Sequence, residues 1–411
     1  MNILIVNQPL NNRGDESAHK GLLRTLGNVG ENINIEVLFV KANPDSVAQF
    51  SENHKQITYT NLTKVRAEKH ISILMHTIGF YGISHLNPLL HGIIKRIKKA
   101  DLVICAPGGI CMGGFQDWAH LFYLSMARYY NKPIAYYGRS FGPFTEKTFL
   151  SKTFKKSSIK LLNYFSFLSI RDKKTEKLAC EMGISYTRTV DSAFLDSPQA
   201  EIPESLKTTI GDDEYIVFVP NKLNWHYAYK NIQTERIIIF FTNLIQETQA
   251  KYPNCKILFL PQIFNSGVQN DIHFFRTIAQ RISNEKIIVV EDIYSSDIQQ
   301  AIIRSAKFLV GARYHSVVFA INNNTPFIAL NYEHKISGLL ETLEMSNRLV
   351  DITCAFDSEN TTTDTIETYT QLLNKVESQK TSNIKAKQIA HECFDEFQHS
   401  VLNIDTSNSQ L

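Results

Sequence analysis

Residues 307–335 read KFLVGARYHSVVFAINNNTPFIALNYEHK, and the alternation inside them decides the fold. Phe308–Val310 is a short apolar run of the kind a buried parallel strand needs. Gly311 then permits a turn in which backbone comes close to a neighbour or a ligand. Arg313 and His315 follow at alternate positions, where a helix over Ser316–Ile321 should begin. A second apolar run, Pro326–Leu330, ends in Asn331, Tyr332, Glu333, His334 and Lys335. Two neighbouring strands of an open α/β sheet would thus carry an arginine, a histidine and a lysine at their carboxyl ends. Ligands bind at that edge of such sheets. The stretch predicts a site for an anion with an acid–base group beside it.

The same unit recurs upstream. Ile3–Val6 predicts a first strand, followed by Asn11, Asn12, Arg13, Gly14, Asp15 and a helix from about Glu16. The turn is not G-x-G-x-x-G, so a dinucleotide fingerprint is absent, and its residues serve equally as a plain helix cap. Ile35–Val40 is the second strand, and residues 42–70 are polar with no clear element. Leu102–Ala106 runs into Pro107, Gly108, Gly109, Ile110, Cys111, Met112, Gly113 and Gly114, a glycine-rich loop. Pro133–Tyr137 leads to Gly138–Pro143, Phe165–Ile170 to Arg171 and Asp172, and Tyr186–Val190 to Asp191 and Ser192. After a stretch rich in proline and charge, Tyr215–Val219 leads to Asn221, Lys256–Leu260 to Gln262, and Ile287–Val290 to Glu291. Strands alternating with helices predict doubly wound parallel sheets. We expect an N-terminal lobe over 1–200, a linker at 201–212, and a C-terminal lobe over 213–384. A C-terminal helix and tail over 385–411 follow, with the helix on the first lobe and 403–411 disordered.

At 411 residues the chain is long for one core, and 43% apolar with 20% charged residues is the balance of a soluble globular protein. The formal net charge of +3 argues against a nucleic-acid partner. Six cysteines occur without C-x-x-C or zinc-like spacing, which suits buried thiols in a reducing compartment and predicts no metal. No leader pattern opens the sequence and no apolar run reaches about 18 residues, so a cytoplasmic protein is expected. Two basic groups stand out: Lys95, Arg96, Lys98 and Lys99, then Lys147, Lys152, Lys155, Lys156 and Lys160. Solvated helix faces are the simpler reading, and a face resting on the anionic inner surface of a membrane is the other.

Taken together, the pieces resemble the polysaccharide pyruvyl transferases. They are N-x-G-D (Asn12, Gly14, Asp15), the APGGICMGG loop, G-x-x-x-G-P (Gly138–Pro143), S-x-R-D (Ser169–Asp172) and Asp191-Ser192-Ala193. The most specific are G-x-R-x-H-S (Gly311–Ser316) and N-Y-x-x-K (Asn331–Lys335). The likeness runs in order over residues 1–345. This chain departs from it at Arg139-Ser140, where many relatives carry a glutamine-glycine or similar pair.

The resemblance implies two facing Rossmann-like lobes of the GT-B kind, with parallel sheets and the active site in the inter-lobe cleft. It implies transfer of pyruvate from phosphoenolpyruvate to a sugar of a surface or capsular polysaccharide unit, forming a cyclic ketal and releasing phosphate. Phosphoenolpyruvate is then a co-substrate, no cofactor is needed, and the glycan acceptor is of a kind often carried on a lipid. Phosphoenolpyruvate bears a carboxylate and a phosphate, which arginine grips with paired bonds. We assign Arg171, Arg313, Lys335 and Ser316 to it. His315 is the expected general acid, since imidazole titrates near about 6.5. Asp15 is the expected base, with the substrate's phosphate as the alternative. Asn12, Gly14, Gly108, Gly109, Arg139, Asn221, Gln262 and Glu291 are the expected acceptor contacts. Trp225, His226 and Tyr227 form either an aromatic wall for a sugar ring or part of the core. Two rivals share the architecture: a GT-B glycosyltransferase using a nucleotide sugar, and a non-catalytic sugar-binding protein that kept the fold.

Overall fold

The computed structural model describes residues 1–7, 12–40, 42–62, 70–109, 111–113, 116–264 and 270–402. The chain divides into two compact units. Unit 1 comprises Met1–Leu10, Ala18–Asp196 and Lys387–Leu411, and unit 2 comprises Asn11–Ser17 and Ser197–Ala386.

Unit 1 is built on seven strands: β1 (Asn2–Val6), β2 (Asn34–Val40), β3 (Ile57–Leu62), β4 (Leu102–Cys105), β5 (Ile134–Tyr136), β6 (Phe167–Ile170) and β7 (Thr187–Arg188). They pair in parallel in the order β3-β2-β1-β4-β5-β6-β7. Unit 2 repeats the design with β8 (Tyr215–Val219), β9 (Lys256–Phe259), β10 (Ile287–Val289), β11 (Leu309–Gly311), β12 (Phe327–Asn331) and β13 (Leu349–Asp351). Their order is β10-β9-β8-β11-β12-β13, again parallel. The central strands are apolar on both faces because helices cover both: Ile3–Val6, Leu102–Cys105 and Tyr215–Val219 are buried throughout. Each sheet is doubly wound from its middle, so the order reverses between β1 and β4 and between β8 and β11. Those two switch points are where such sheets bind ligands. Gly311 lies opposite Val219 in the register, which brings the loops after β11 and β8 side by side.

Several elements differ from the sequence expectation. The first helix spans Arg13–Gly27, starting before Glu16, because the Asn12 carbonyl takes the Glu16 amide at 3.0 Å. Residues 42–70, unplaced from sequence, hold a helix at Pro44–Phe50 and the edge strand β3, of which only Ile57 is buried. The proline-rich stretch expected as a linker forms a helix at Glu204–Ile210 that buries Leu206 and Ile210. Past Val350 the chain forms a helix over Glu359–Leu373, capped reciprocally by Ser358 and Thr361. The last helix, Ile384–Phe397, packs Phe394 and Phe397 on Tyr137 and Phe167 of unit 1. Residues 403–411, expected to be disordered, lie outside the described residues. Among the described residues no helix is long and apolar enough to cross a membrane.

Candidate active site

In unit 2 the G-x-R-x-H-S segment folds tightly. Ser316 donates its hydroxyl to the Arg313 carbonyl at 2.6 Å, and a Cβ on Gly311 would stand 2.3 Å from that hydroxyl oxygen. Glycine is therefore required at 311. The helix Tyr314–Asn322 then starts at the carboxyl end of β11, and every one of its residues is buried. Arg313, just before it, is ion-paired to Asp271, which also accepts the backbone amides of Gln262 and Ile263 at 3.0 Å each. Asp271 thus orients Arg313 and fixes the loop after β9. The Nε of Arg313 and the side-chain Nε2 of Gln262 are both buried without a partner among the described residues. Buried donors left unpaired are costly, and these two belong to residues that Asp271 holds, one by its guanidinium and the other by its backbone amide.

The N-x-G-D turn joins this group. The Arg13 amide donates to the Gln262 carbonyl at 3.1 Å, and Asn12 bridges Ile263 in antiparallel fashion. The Asn12 side chain accepts the Gly14 amide at 2.9 Å and donates to Asp15 at 3.0 Å. The imidazole of His315 lies against Gly14: a Cβ there would come within 1.8 Å of Nδ1 and 1.9 Å of Cγ. Two motifs separated by some three hundred residues are therefore in contact, and Asp15 follows Gly14 in the chain. Beneath them Glu16 is fully buried, pairs with Arg13, and accepts from the Ser296 amide at 3.1 Å.

The other unit 2 residues take varied places. Asn221 closes the switch point, donating to the Ala312 carbonyl at 3.1 Å and accepting from Leu223 and the Trp225 indole. Trp225 and His226 ring Tyr332, whose hydroxyl burial pushes well above its ordinary range. Tyr227 projects outward, 74% exposed. Lys335, in the first turn of the helix His334–Thr342, lies 3.8 Å from Glu333, which accepts the Tyr332 hydroxyl. Glu291 is exposed and pairs with Arg276 at 2.7 Å.

Unit 1 presents a different kind of edge. Arg139, only 2% exposed, donates to the carbonyls of Gly109 (2.8 Å) and Ala106 and to the Cys111 sulfur (2.8 Å). Arg171 is ion-paired to the fully buried Asp191 and donates to the Gly108 carbonyl at 3.1 Å. Ser140 donates to Asp172 at 2.5 Å, and Ser169 accepts the Gly138 amide at 2.8 Å. Gly113 touches Gly142 so closely that a Cβ would meet its carbonyl oxygen at 2.8 Å. The G-x-x-x-G-P, S-x-R-D and D-S-A pieces therefore interlock to frame the glycine-rich loop. Burial raises the Cys105 thiol to about 12 and holds the His120 ring well below 6.5, with Arg139 adding to the second effect. Arg139 is thus the charged member of that group.

Sequence reasoning missed Asp271, whose place after Asn270 at a helix start looks like ordinary capping. It also missed Glu16, which reads as a first-turn acid. Among the described residues no cluster of three or more histidines, cysteines or carboxylates is placed to hold a metal. An open depression of about 470 Å³ lies at the opposite, amino edge of the unit 1 sheet, bordered by Asn2, Glu36, Lys55 and Arg96, and includes none of these residues.

Comparison with known proteins bears on the family and the fold. The amylovoran biosynthesis protein AmsJ of Erwinia amylovora is 22% identical over 395 residues, covering 87% of this chain and 89% of AmsJ. The fold matches a putative UDP-N-acetylglucosamine 2-epimerase from Listeria monocytogenes with a TM-score of 0.59 at 12% identity, over 100% of this chain and 99% of that one. It also matches the UDP-GlcNAc 2-epimerase of Methanocaldococcus jannaschii (TM-score 0.55, 12% identity, 96% and 100% covered). At those identities the likeness establishes a GT-B-like fold alone. The polysaccharide pyruvyl transferase profile matches residues 12–334, from the N-x-G-D turn to the loop after β12, and the chain belongs to that family of polysaccharide-biosynthesis transferases.

Proposed function

We propose that this protein transfers pyruvate from phosphoenolpyruvate to two hydroxyls of a sugar in a surface polysaccharide unit, forming a cyclic ketal. The observation that carries the reading is the seating of the His315 ring on Gly14 next to Asp15, with Arg313 two residues away. Arg313, Lys335 and the unpaired Gln262 amide supply donors for the carboxylate and phosphate. Ser316 supports them by locking the backbone of Arg313. His315 protonates the methylene carbon, and C2 becomes oxocarbenium-like. A sugar hydroxyl adds to C2 and gives its proton to Asp15 or to the substrate's phosphate. The C–O bond to phosphate then breaks, the second hydroxyl adds, and its proton is shed. Of the two hydroxyl protons, one replaces the proton placed on the methyl group and the other leaves with inorganic phosphate.

In unit 1 we assign the framed glycine-rich loop, Gly108 and Gly109 included, to the acceptor sugar. Arg139 and Arg171 act there by holding the loop's carbonyls, since those bonds occupy their guanidinium groups. Asn12 and Asn221 likewise act as supports of the turn and the switch point.

The test is phosphate release from phosphoenolpyruvate across a panel of aryl and lipid-linked glycosides. Acceptor-dependent release, a product heavier by one ketal-linked pyruvate, and a loss of about 100-fold or more in His315→Ala support the reading. A nucleotide sugar that raises the melting temperature, when phosphoenolpyruvate does not, overturns it in favour of glycosyl transfer.

A further inference from the structure

We propose that one helical face of unit 1 docks on an anionic lipid bilayer, inserting Phe149 and Leu150 while lysines engage headgroups. The first observation is exposure. Leu86 is 82% exposed, Phe149 81%, Phe80 58% and Leu150 48%, a group of large apolar side chains that no surface function of the fold requires. The second is their arrangement. On the helix Phe149–Leu162, Phe149, Lys152, Lys156 and Lys160 recur three and four residues apart and form one outward stripe. Phe154, Ser158 and Leu161 bury the opposite side. Leu150 shares its side of the helix with Ser157, whose hydroxyl donates to the Thr77 carbonyl at 3.4 Å. That bond ties the helix to the end of the helix His70–Thr77, immediately before Ile78 and Phe80. Around the following short helix, Tyr81–His85, half-exposed Tyr129 lies 4.8 Å from the Tyr81 ring, and the Lys98 ammonium lies 4.9 Å from the Tyr130 ring.

The third observation selects the partner. Residues 70–100, 118–145 and 147–171, which supply this whole layer of helices, contain neither aspartate nor glutamate. Three acids fall between these stretches: Asp101 accepts the Asn2 amide at 2.7 Å, Asp117 caps the helix Trp118–Tyr129, and Glu146 is paired with Lys155. A surface rich in lysine and poor in acids, set among exposed phenylalanine, leucine and tyrosine, is complementary to anionic headgroups over an acyl boundary. The lysine stems lie along the apolar surface while their ammonium groups reach phosphate. A glycan or nucleic-acid polyanion would match the charge and leave the phenylalanines and leucines without a role.

The full chain is to be sedimented with vesicles of phosphatidylglycerol and phosphatidylcholine, and with vesicles of phosphatidylcholine alone. The assay needs no turnover, so it stands apart from the ketal chemistry. The expected result is binding to the anionic vesicles only, weakening as salt rises. Phe149→Asp with Leu150→Asp should cut the partition coefficient by about 10-fold or more. Lys152→Glu, Lys156→Glu and Lys160→Glu together should cut it on the order of 100-fold. Phe149→Trp gives an independent reading in a folded protein: its emission should shift to the blue on the anionic vesicles and be quenched by brominated acyl chains. No binding to anionic vesicles overturns the proposal. So does an unshifted indole emission from the Phe149→Trp variant, or equal retention by a soluble polyanion that the double aspartate variant leaves unchanged.

Discussion

Arg171 in unit 1 and Arg313 in unit 2 both follow the carboxyl end of a parallel strand, and both are buried against an aspartate. Their surroundings separate them. Arg171 spends a second nitrogen on the Gly108 carbonyl, and nearby Arg139 spends its donors on carbonyls and a thiol. Arg313 keeps a buried Nε unpaired among the described residues, and Gln262, held by the same aspartate, keeps its side-chain amide in the same condition. The same residue type at the same kind of strand end thus braces a loop in one sheet and offers donors in the other. What decides is whether the fold has already supplied the acceptors.

The strongest way to sharpen that contrast is at Gly14. Gly14→Ala puts a methyl group where the His315 ring now lies, so the ring must move. Acceptor-dependent phosphate release should fall by about 100-fold, because misplacement of about 1 Å at a reacting group costs that much. A double variant with His315→Ala should be no worse than His315→Ala alone. Additive losses would break the assignment of both residues to one event.

The two aspartates come next. Asp191→Asn and Asp271→Asn each leave a buried guanidinium without its counter-charge, a loss of about 3 kcal/mol read by chemical denaturation. Phosphoenolpyruvate should restore melting temperature in the Asp271 variant, where an anion can replace the carboxylate, and leave the Asp191 variant unrescued. Equal rescue of both would erase the distinction. A smaller effect is expected at Gln262→Leu. Removing an unpaired buried donor should leave the apo protein as stable as before or slightly more so, while KM for phosphoenolpyruvate rises about 10-fold. Arg139→Leu should do the reverse, lowering stability first.

The last effect concerns acid. His19, fully buried in unit 1 with neither ring nitrogen partnered among the described residues, is held down to about 3, by burial first and by Lys20 second. His76, also in unit 1, is held down to about 4, mainly by burial. These rings are neutral when folded and take up protons from 6.5 downward when unfolded. Their contribution is therefore intact above 6.5 and is lost as pH falls from there toward 3. Between about pH 7.5 and about pH 5, His19 alone accounts for about 2 kcal/mol of lost stability. His19→Leu should flatten the profile by that amount in urea unfolding at the two pH values.

Much of this was legible in the residues. Short apolar runs closed by glycine and polar residues marked the strands of both sheets, since a strand covered on both faces has to be apolar at every position. The motifs located His315, Arg313 and Gly14, because close packing and donor geometry restrict which residues can stand there. The edge strand β3 and the helix at Glu204–Ile210 were not legible, because half-buried elements need only one or two apolar residues. Charge pairing was not legible either. Whether Arg171 or Arg313 keeps a donor to offer depends on carbonyls and carboxylates brought in from 20 to 63 residues away. Sequence by itself determined the alternating architecture and the chemical types gathered at each strand end. Tertiary structure alone decided which of those groups are satisfied by the protein and which keep an open donor among the described residues, because hydrogen-bond acceptors are assigned by distance in space and not by position in the chain.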